Sequence, residues 1–268
     1  MSAQRDGWML YCAEGFAERA TLLAQCGQLN FAGEAADIRK LGEPLVLWLD
    51  DTGLSLRQTG RNAMGPVRCD FVGGTARHRR LYGGGKSQTI AKAVGIKDRI
   101  RPFIADLTAG LGADASTLAA LGCRVVMVER NPVVALLLED GLDRLAAAAQ
   151  QADDLVRLFA NLSLVTMAAA EWLASCDDVT RPDVIYLDPM FPERRNSAKA
   201  NKNMQVFHQV VGEDTDADEL LPLALATARN RVVVKRPSHA PWLDGQEPGL
   251  CFEGKSVRFD VYPLKKLV

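Results

Sequence analysis

Asp106-Leu-Thr-Ala-Gly-Leu-Gly-Ala-Asp114, entered from the apolar run Phe103-Ile-Ala, decides how the chain folds. A short apolar run ends in a carboxylate, two glycines follow one residue apart, and alanine-rich sequence comes next. That order reads as strand, tight turn and helix start. Glycine allows the turn and lets backbone approach a ligand closely. In an open parallel sheet such a turn lies at the carboxyl end of a strand, which is where ligands bind.

Working outward, the alternation repeats. Arg124-Val-Val-Met-Val-Glu129 is a second strand, followed by a long helix from Pro132 to Ala149. Leu162-Ser-Leu-Val-Thr166 is a third, with a short helix around residues 169–174, and Asp183-Val-Ile-Tyr-Leu-Asp188 is a fourth. A polar loop and a helix from about Ala217 lead to the fifth, Arg231-Val-Val-Val-Lys235. Valine-rich strands separated by helices predict a parallel sheet covered on both faces. The end breaks the pattern. Leu250-Cys-Phe-Glu253 and Ser256-Val-Arg-Phe-Asp-Val-Tyr262 are joined by a tight turn at Gly254, so they must run antiparallel.

Residues 1–100 read as a small α+β N-terminal domain. Leu45-Val-Leu-Trp-Leu49 and Leu54-Ser-Leu-Arg57 flank the turn Asp50-Asp-Thr-Gly53 and predict a hairpin. Val67 to Val72 is expected as a further strand. Gly73-Gly74, the basic run Arg77-His-Arg-Arg80 and Gly83-Gly-Gly85 then form a glycine-rich junction. The expected boundaries are 1–100 for this unit, with a possible RNA contact, and 101–268 for the alternating one.

At 268 residues the chain can bury one large core, or a core plus an appendage, and 48% hydrophobic composition excludes disorder. The net charge of −1 announces no polyanionic partner by itself. The six cysteines form no Cys-x-x-Cys pair and none has a histidine at ligand spacing, so no metal site is expected. Scattered thiols fit a reduced, cytoplasmic setting. The N-terminus lacks a secretion signal, and no apolar run approaches the ~20 residues of a membrane helix. A soluble protein without a membrane or an obligate protein partner is expected. His78, His208 and His239 lack partners at triad spacing and are assigned no catalysis.

Charge separates the ligands that a glycine turn admits. Gly110-x-Gly112-x-x-Ala115 also satisfies a relaxed nicotinamide-cofactor pattern. A dinucleotide would set its pyrophosphate against this turn, where Asp114 repels it. S-adenosylmethionine brings a sulfonium and an ammonium instead, which Asp106 and Asp114 suit. Asp114 is equally placed to cap the following helix, and Asp106 to hold the loop's amides. Glu129 ends the next strand, about 20 residues past the turn, where an acid accepts ribose hydroxyls. Arg130 either touches the adenosine or faces solvent. Ala168 and Ala169 follow the third strand, where small residues let a flat ring lie close.

Asp188-Pro-Met-Phe-Pro192 ends the fourth strand in a stiff corner, because proline fixes its own φ and restricts its predecessor. The amino group of a base is a poor nucleophile, its lone pair being delocalised into the ring. The Asp188 carboxylate and the Pro189 carbonyl can each accept one N–H and aim that lone pair. Phe191 can stack on the base, a contact worth ~1–3 kcal/mol. The competing reading is an ordinary Asp-Pro turn with Phe191 as a core plug. The following segment, residues 193–202, is basic and suits phosphates or plain solvent. The basic residues Arg77, Arg79, Arg80, Lys86, Lys92, Lys97, Lys235 and Arg236 suit a phosphate-binding rim, or surface charge balanced by the acidic segment 213–219.

The chain resembles class I S-adenosylmethionine-dependent methyltransferases. More narrowly, it is similar to the ribosomal RNA small subunit methyltransferase J family. The matching text runs from Asp70-Phe-Val-Gly-Gly74 through Thr108-Ala-Gly-Leu-Gly112, Glu129-Arg-Asn-Pro-Val-Val134 and Tyr186-Leu-Asp-Pro-Met-Phe-Pro192 to Val232-Val-Val-Lys-Arg-Pro237 and Arg258-Phe-Asp260. The resemblance covers about residues 70 to 262. It implies an α/β, Rossmann-like fold with a seven-stranded, mostly parallel sheet closing in a C-terminal antiparallel hairpin. It also implies methylation of the exocyclic N2 of a guanosine near the 3′ end of 16S rRNA, with naked rRNA or the small ribosomal subunit as partner. Cofactor contacts would fall on Ala113, Asp114, Glu129, Arg130, Ala168, Ala169 and Asp188, beside Asp106, Gly110 and Gly112. At Ala168 and Ala169 the family pattern has serines, so contact there is through backbone. Another nucleic-acid or protein amide target, a nicotinamide-dependent oxidoreductase and a non-catalytic assembly factor are the rival readings.

Overall fold

The protein is described by a computed structural model, which covers residues 7–61, 63–74, 77–78, 88–190, 207, 210–211, 217–254 and 256–267. Among these, the N-terminal part contains β1 (Met9–Cys12), α1 (Ala17–Gly27), β2 (Asn30–Glu34), β3 (Leu45–Asp50), β4 (Gly53–Gln58) and α2 (Thr89–Ala93). There follow β5 (Ile104–Asp106), α3 (Ala113–Ala120), β6 (Val125–Glu129), α4 (Pro132–Ala149), α5 (Asp153–Ala160) and β7 (Leu162–Thr166). The chain closes with α6 (Ala169–Ser175), β8 (Val184–Leu187), α7 (Ala217–Thr227), β9 (Arg231–Pro237), β10 (Leu250–Glu253) and β11 (Val257–Pro263).

Strands β5 to β11 form a seven-stranded sheet in the order β10-β11-β9-β8-β5-β6-β7. All pairings from β9 to β7 are parallel, while β11 runs antiparallel to both of its neighbours. The expected parallel sheet with a closing hairpin is therefore present, β11 being inserted between β9 and β10. Chain order reverses between β5 and β8, which makes that crevice the topological switch point.

Alternation along the strands sorts the core. Ile104, Val184, Tyr186 and Val233 face a cluster that includes α3, α4, α5 and the N-terminal strands. Ala105, Ile185, Leu187, Val232 and Val234 face the cluster built on α6 and α7. With a period of two, Asp106, Tyr186, Asp188 and Lys235 share the first of these faces.

The N-terminal part forms a separate four-stranded sheet, β2-β1-β3-β4. The predicted hairpin is β3–β4, paired antiparallel from Leu45↔Gln58 to Asp50↔Gly53. Strands β1 and β2, parallel to each other, and helix α1 were not foreseen. Val67 to Val72 is not a strand. Only Val67 bridges to Leu56, after which the Asp70 carboxylate accepts the amides of Val72 and Gly73 and turns the chain. This sheet packs on α4, and one buried cluster takes in Leu10, Leu47, Phe71, Leu137 and Tyr186 together. Buried Asp140 on α4 accepts from Arg19 of α1 at 2.9 Å and from Arg144 at 2.8 Å, and Arg144 also donates to the Cys69 carbonyl.

Candidate active site

At the carboxyl ends of β5, β6 and β8 lies a cavity of about 310 Å³, the size of a small-cofactor site. Asp106, Gly110, Ala113 and Asp114 line it from the β5 side, Glu129 and Arg130 from β6. Ala168 and Ala169 line it from the start of α6, and Asp188 and Pro189 from the end of β8. The sequence-predicted residues are thus brought together, with two exceptions. Gly112 does not line the cavity but shapes it from behind. Phe191 lies outside the described residues, as do Arg79, Arg80, Lys86, Gly83 to Gly85 and the basic segment 193–202.

The glycine turn has a physical reason at each glycine. Gly110 sits at φ +53° and Gly112 at φ +71°, in the left-handed region that disfavours a side chain. A Cβ on Gly112 would stand 2.8 Å from the Phe71 ring and 3.1 Å from Leu138. The Asp70-Phe-Val-Gly-Gly74 stretch thereby earns a structural role, with Phe71 pressed against the turn that opens α3. Gly112 is the N-cap of that helix and Asp114 lies in its first turn, where a carboxylate is favoured by the helix dipole.

Glu129 is buried, and both its oxygens hold backbone. One accepts the Gly110 amide at 3.1 Å, the other the Asn131 amide at 2.7 Å. Asn131 caps α4 by accepting from Val133 and Val134, with Pro132 at the first helical position. Its amide donates to the Val210 carbonyl at 2.8 Å, which ties residues 210–211 to the cofactor side. Phe207 and Val211 supply an apolar wall.

The charges are concentrated at the switch point. Asp106 is fully buried and its carboxyl is pushed well above the ordinary 3.8, first by desolvation, then by the nearby charges of Asp114 and Asp188. It also accepts the Thr108 amide at 3.2 Å. Asp114 accepts from the Tyr186 hydroxyl and from the Lys235 ammonium, each at 2.8 Å. Lys235 reaches Asp188 at 2.8 Å as well, and the Asp188 amide donates to the Thr108 hydroxyl at 2.6 Å. Burial works to lower the Lys235 pKa, but Asp188 and Asp114 outweigh it and hold the amine protonated.

Lys235, Tyr186 and Thr108 were not foreseen as site residues. The signal for Lys235 was its place at the end of β9, where β8–β9 pairing (Leu187↔Val234) sets the next residues, Asp188 and Lys235, side by side. It lines the cavity, paired with Asp114 and Asp188. Arg236 is buried and donates to the Pro241 carbonyl. Arg258, paired with buried Asp260, braces the same loop through the Ser238 and Ala240 carbonyls.

The lining fits S-adenosylmethionine and not a pyrophosphate. Four acidic residues, Asp106, Asp114, Glu129 and Asp188, line the cavity, and of the cationic lining residues Lys235 is already paired with two of them, Asp114 and Asp188. Among the described residues no group of three or more His, Cys, Asp or Glu is placed to hold a metal ion, and no helix is long and apolar enough to cross a membrane.

Comparison with known proteins agrees. Residues 37–264 match the family described as "Putative SAM-dependent methyltransferase". The chain is 49% identical to ribosomal RNA small subunit methyltransferase J of Cellvibrio japonicus, covering 96% of this chain and 97% of that one. It is 50% identical to the protein of the same name in Thioalkalivibrio sulfidiphilus, covering 94% and 95%. Among solved structures it is similar to a SAM-dependent methyltransferase of Neisseria gonorrhoeae, with a TM-score of 0.71, 35% identity and 95% of each chain covered.

Proposed function

The chain belongs to the ribosomal RNA small subunit methyltransferase J family of SAM-dependent methyltransferases, and from that premise we propose that it methylates the exocyclic N2 of a guanosine near the 3′ end of 16S rRNA. The observation that carries the reading is the position of Asp188. It ends β8 in the same cavity as Asp106, Asp114 and Glu129, at the corner where a base can approach the donor.

When bound, S-adenosylmethionine supplies a methyl group on an electron-poor sulfonium. Asp106 and Asp114 would hold the cofactor's cationic end, Glu129 its ribose hydroxyls, and the backbone at Ala168 and Ala169 its adenine, with Arg130 beside the adenosine. The Asp188 carboxylate and the Pro189 carbonyl accept the two N–H bonds of the guanine amino group. That draws the nitrogen toward a pyramidal shape and directs its lone pair at the methyl carbon. Phe191, outside the described residues, would be the stacking partner of the base. Gain of the methyl group from the sulfonium would leave the nitrogen cationic, and its surplus proton would pass to Asp188 or to water. Orientation supplies most of the rate, since no strong acid or base is needed.

Residues 1–100 are proposed as the rRNA-contacting unit, with Arg77, Lys92 and Lys97 exposed on it. The substrate is naked 16S rRNA or the small subunit, and the setting is the cytoplasm.

The test is transfer of labelled methyl to rRNA from a strain lacking the gene, followed by nucleoside analysis. N2-methylguanosine is expected with the wild type. Asp188→Ala should fold, bind the cofactor and transfer nothing. Label on adenosine or protein, or full activity in Asp188→Ala, overturns the proposal.

A further inference from the structure

A lysine ammonium in a cavity that takes a cationic cofactor needs a reason. It neutralises carboxylates that the cofactor's own charges would otherwise meet, and it repels a sulfonium. Lys235 is nevertheless held there by two contacts of 2.8 Å, to Asp188 Oδ2 and to Asp114 Oδ2. Among the described residues, the acids that reach it are Asp188, just past β8, Asp114 from α3 and Asp106 from β5, and the Tyr186 hydroxyl shares the Asp114 oxygen.

We propose that Lys235 is a positioning residue for methyl transfer, its ammonium bridging the acid that meets the target amine and the acid at the cofactor's charged end. The inference rests on the reading of Asp188 given above. Unbridged, the two carboxylates would repel each other and their separation would no longer be set by a shared cation. Bridged, they keep one separation, and Asp188 stays ionised and able to accept an N–H. The far side of the arrangement is equally fixed. The Tyr186 hydroxyl donates to the same Asp114 oxygen at 2.8 Å, and the Asp188 amide is held by Thr108. The amine of Lys235 is protonated and so takes no proton from the product, which leaves the proton's exit to Asp188 or water.

Two measurements separate this role from a structural one. The first is calorimetric affinity for S-adenosylmethionine and for S-adenosylhomocysteine. The two differ by the sulfonium charge, so Lys235→Met should favour the charged ligand over the neutral one by about three- to thirtyfold relative to wild type, the range for unit charges in a partly wet site. The second is single-turnover transfer to unmodified rRNA across pH. Lys235→Met should lose about 10–100-fold in rate with little change in KM for rRNA. Its acid limb should move up, because Asp188 has lost its neighbouring cation. Lys235→Arg, which keeps the charge, should return both the limb and the affinity ratio toward wild type. A Lys235→Met protein with the wild-type rate, limb and ratio overturns the proposal, as does a Lys235→Arg protein that behaves like Lys235→Met. If wild-type protein methylates no rRNA, the functional reading fails together with the transfer measurement. The affinity ratio then decides by itself whether the ammonium acts on the cofactor's charge.

Discussion

Gly112→Ala should destabilise the protein by a sum of two effects that the structure separates. The backbone at this position is left-handed, at φ +71°, and a residue with a Cβ there costs about 1–2 kcal/mol. The new methyl would also stand 2.8 and 2.9 Å from two atoms of the Phe71 ring and 3.1 Å from Leu138. Phe71 is 1% exposed and Leu138 fully buried, so neither can swing into solvent. Forcing them apart adds about 1–3 kcal/mol. The total is about 2–5 kcal/mol. For a domain of this size each kcal/mol lowers Tm by about 2–4 °C, so a fall of about 4–20 °C is expected. Gly110→Ala is the matched control. Its φ is +53°, but the nearest atom to an added Cβ is 3.7 Å away, on Phe207, so only the backbone strain remains. Scanning calorimetry of both variants should place Gly112→Ala clearly below Gly110→Ala, while Gly110→Ala should weaken cofactor binding more in proportion to its small loss of stability. Equal Tm values for the two, or a Gly112→Ala protein as stable as wild type, would refute the idea that Phe71 props the cofactor turn.

Two further predictions concern charge. Asp106→Asn should raise the Tm of the cofactor-free protein at neutral pH, because the buried carboxyl's pKa lies above its unfolded value and ionisation opposes folding there. Below the unfolded value near 3.8 the wild-type group is protonated in both states, so the gain should vanish on acidification; a gain that persists at low pH contradicts the assignment. Cofactor affinity should fall in the same variant. Asp140→Ala removes a buried carboxylate that holds Arg19 and Arg144. Losing one partner of a buried ion pair costs about 3–5 kcal/mol, but Arg19 is 49% exposed, which reduces the expectation to about 1–3 kcal/mol. Urea unfolding measures it, and an unchanged midpoint would show that the N-terminal sheet does not depend on this anchor.

The parallel sheet was legible because its strands are short valine-rich runs between helices, and the closing hairpin because Gly254 leaves room for only one geometry. Strand-end acids were legible for the same reason: Asp106, Glu129 and Asp188 each terminate an apolar run. Strands β1 and β2 were not. Met9–Cys12 is four residues long and apolar throughout, and Asn30–Glu34 is an edge strand with one large apolar residue, so neither sequence alternates in residue type although both alternate in burial. Val67 to Val72 failed in the opposite way, since its apolar residues serve the core while Asp70 turns the backbone. The Lys235 pairing required sheet order. Asp188 and Lys235 are 47 positions apart in sequence and become neighbours only because β8 and β9 are adjacent in register. The Tyr186–Asp114 contact likewise joins a strand to a helix 72 positions away. Phe71 against Gly112 is a shape relation that no periodicity announces.

The account turns on Asp188 and the donor's sulfur sharing one cavity, and a crystal structure of the protein with S-adenosylhomocysteine tests that most directly. The predicted result is a thioether sulfur facing the Asp188 corner, the ribose at Glu129 and the amino-acid end near Asp106 and Asp114. A ligand seated elsewhere, or an Asp188 carboxylate directed away from the sulfur, would contradict it.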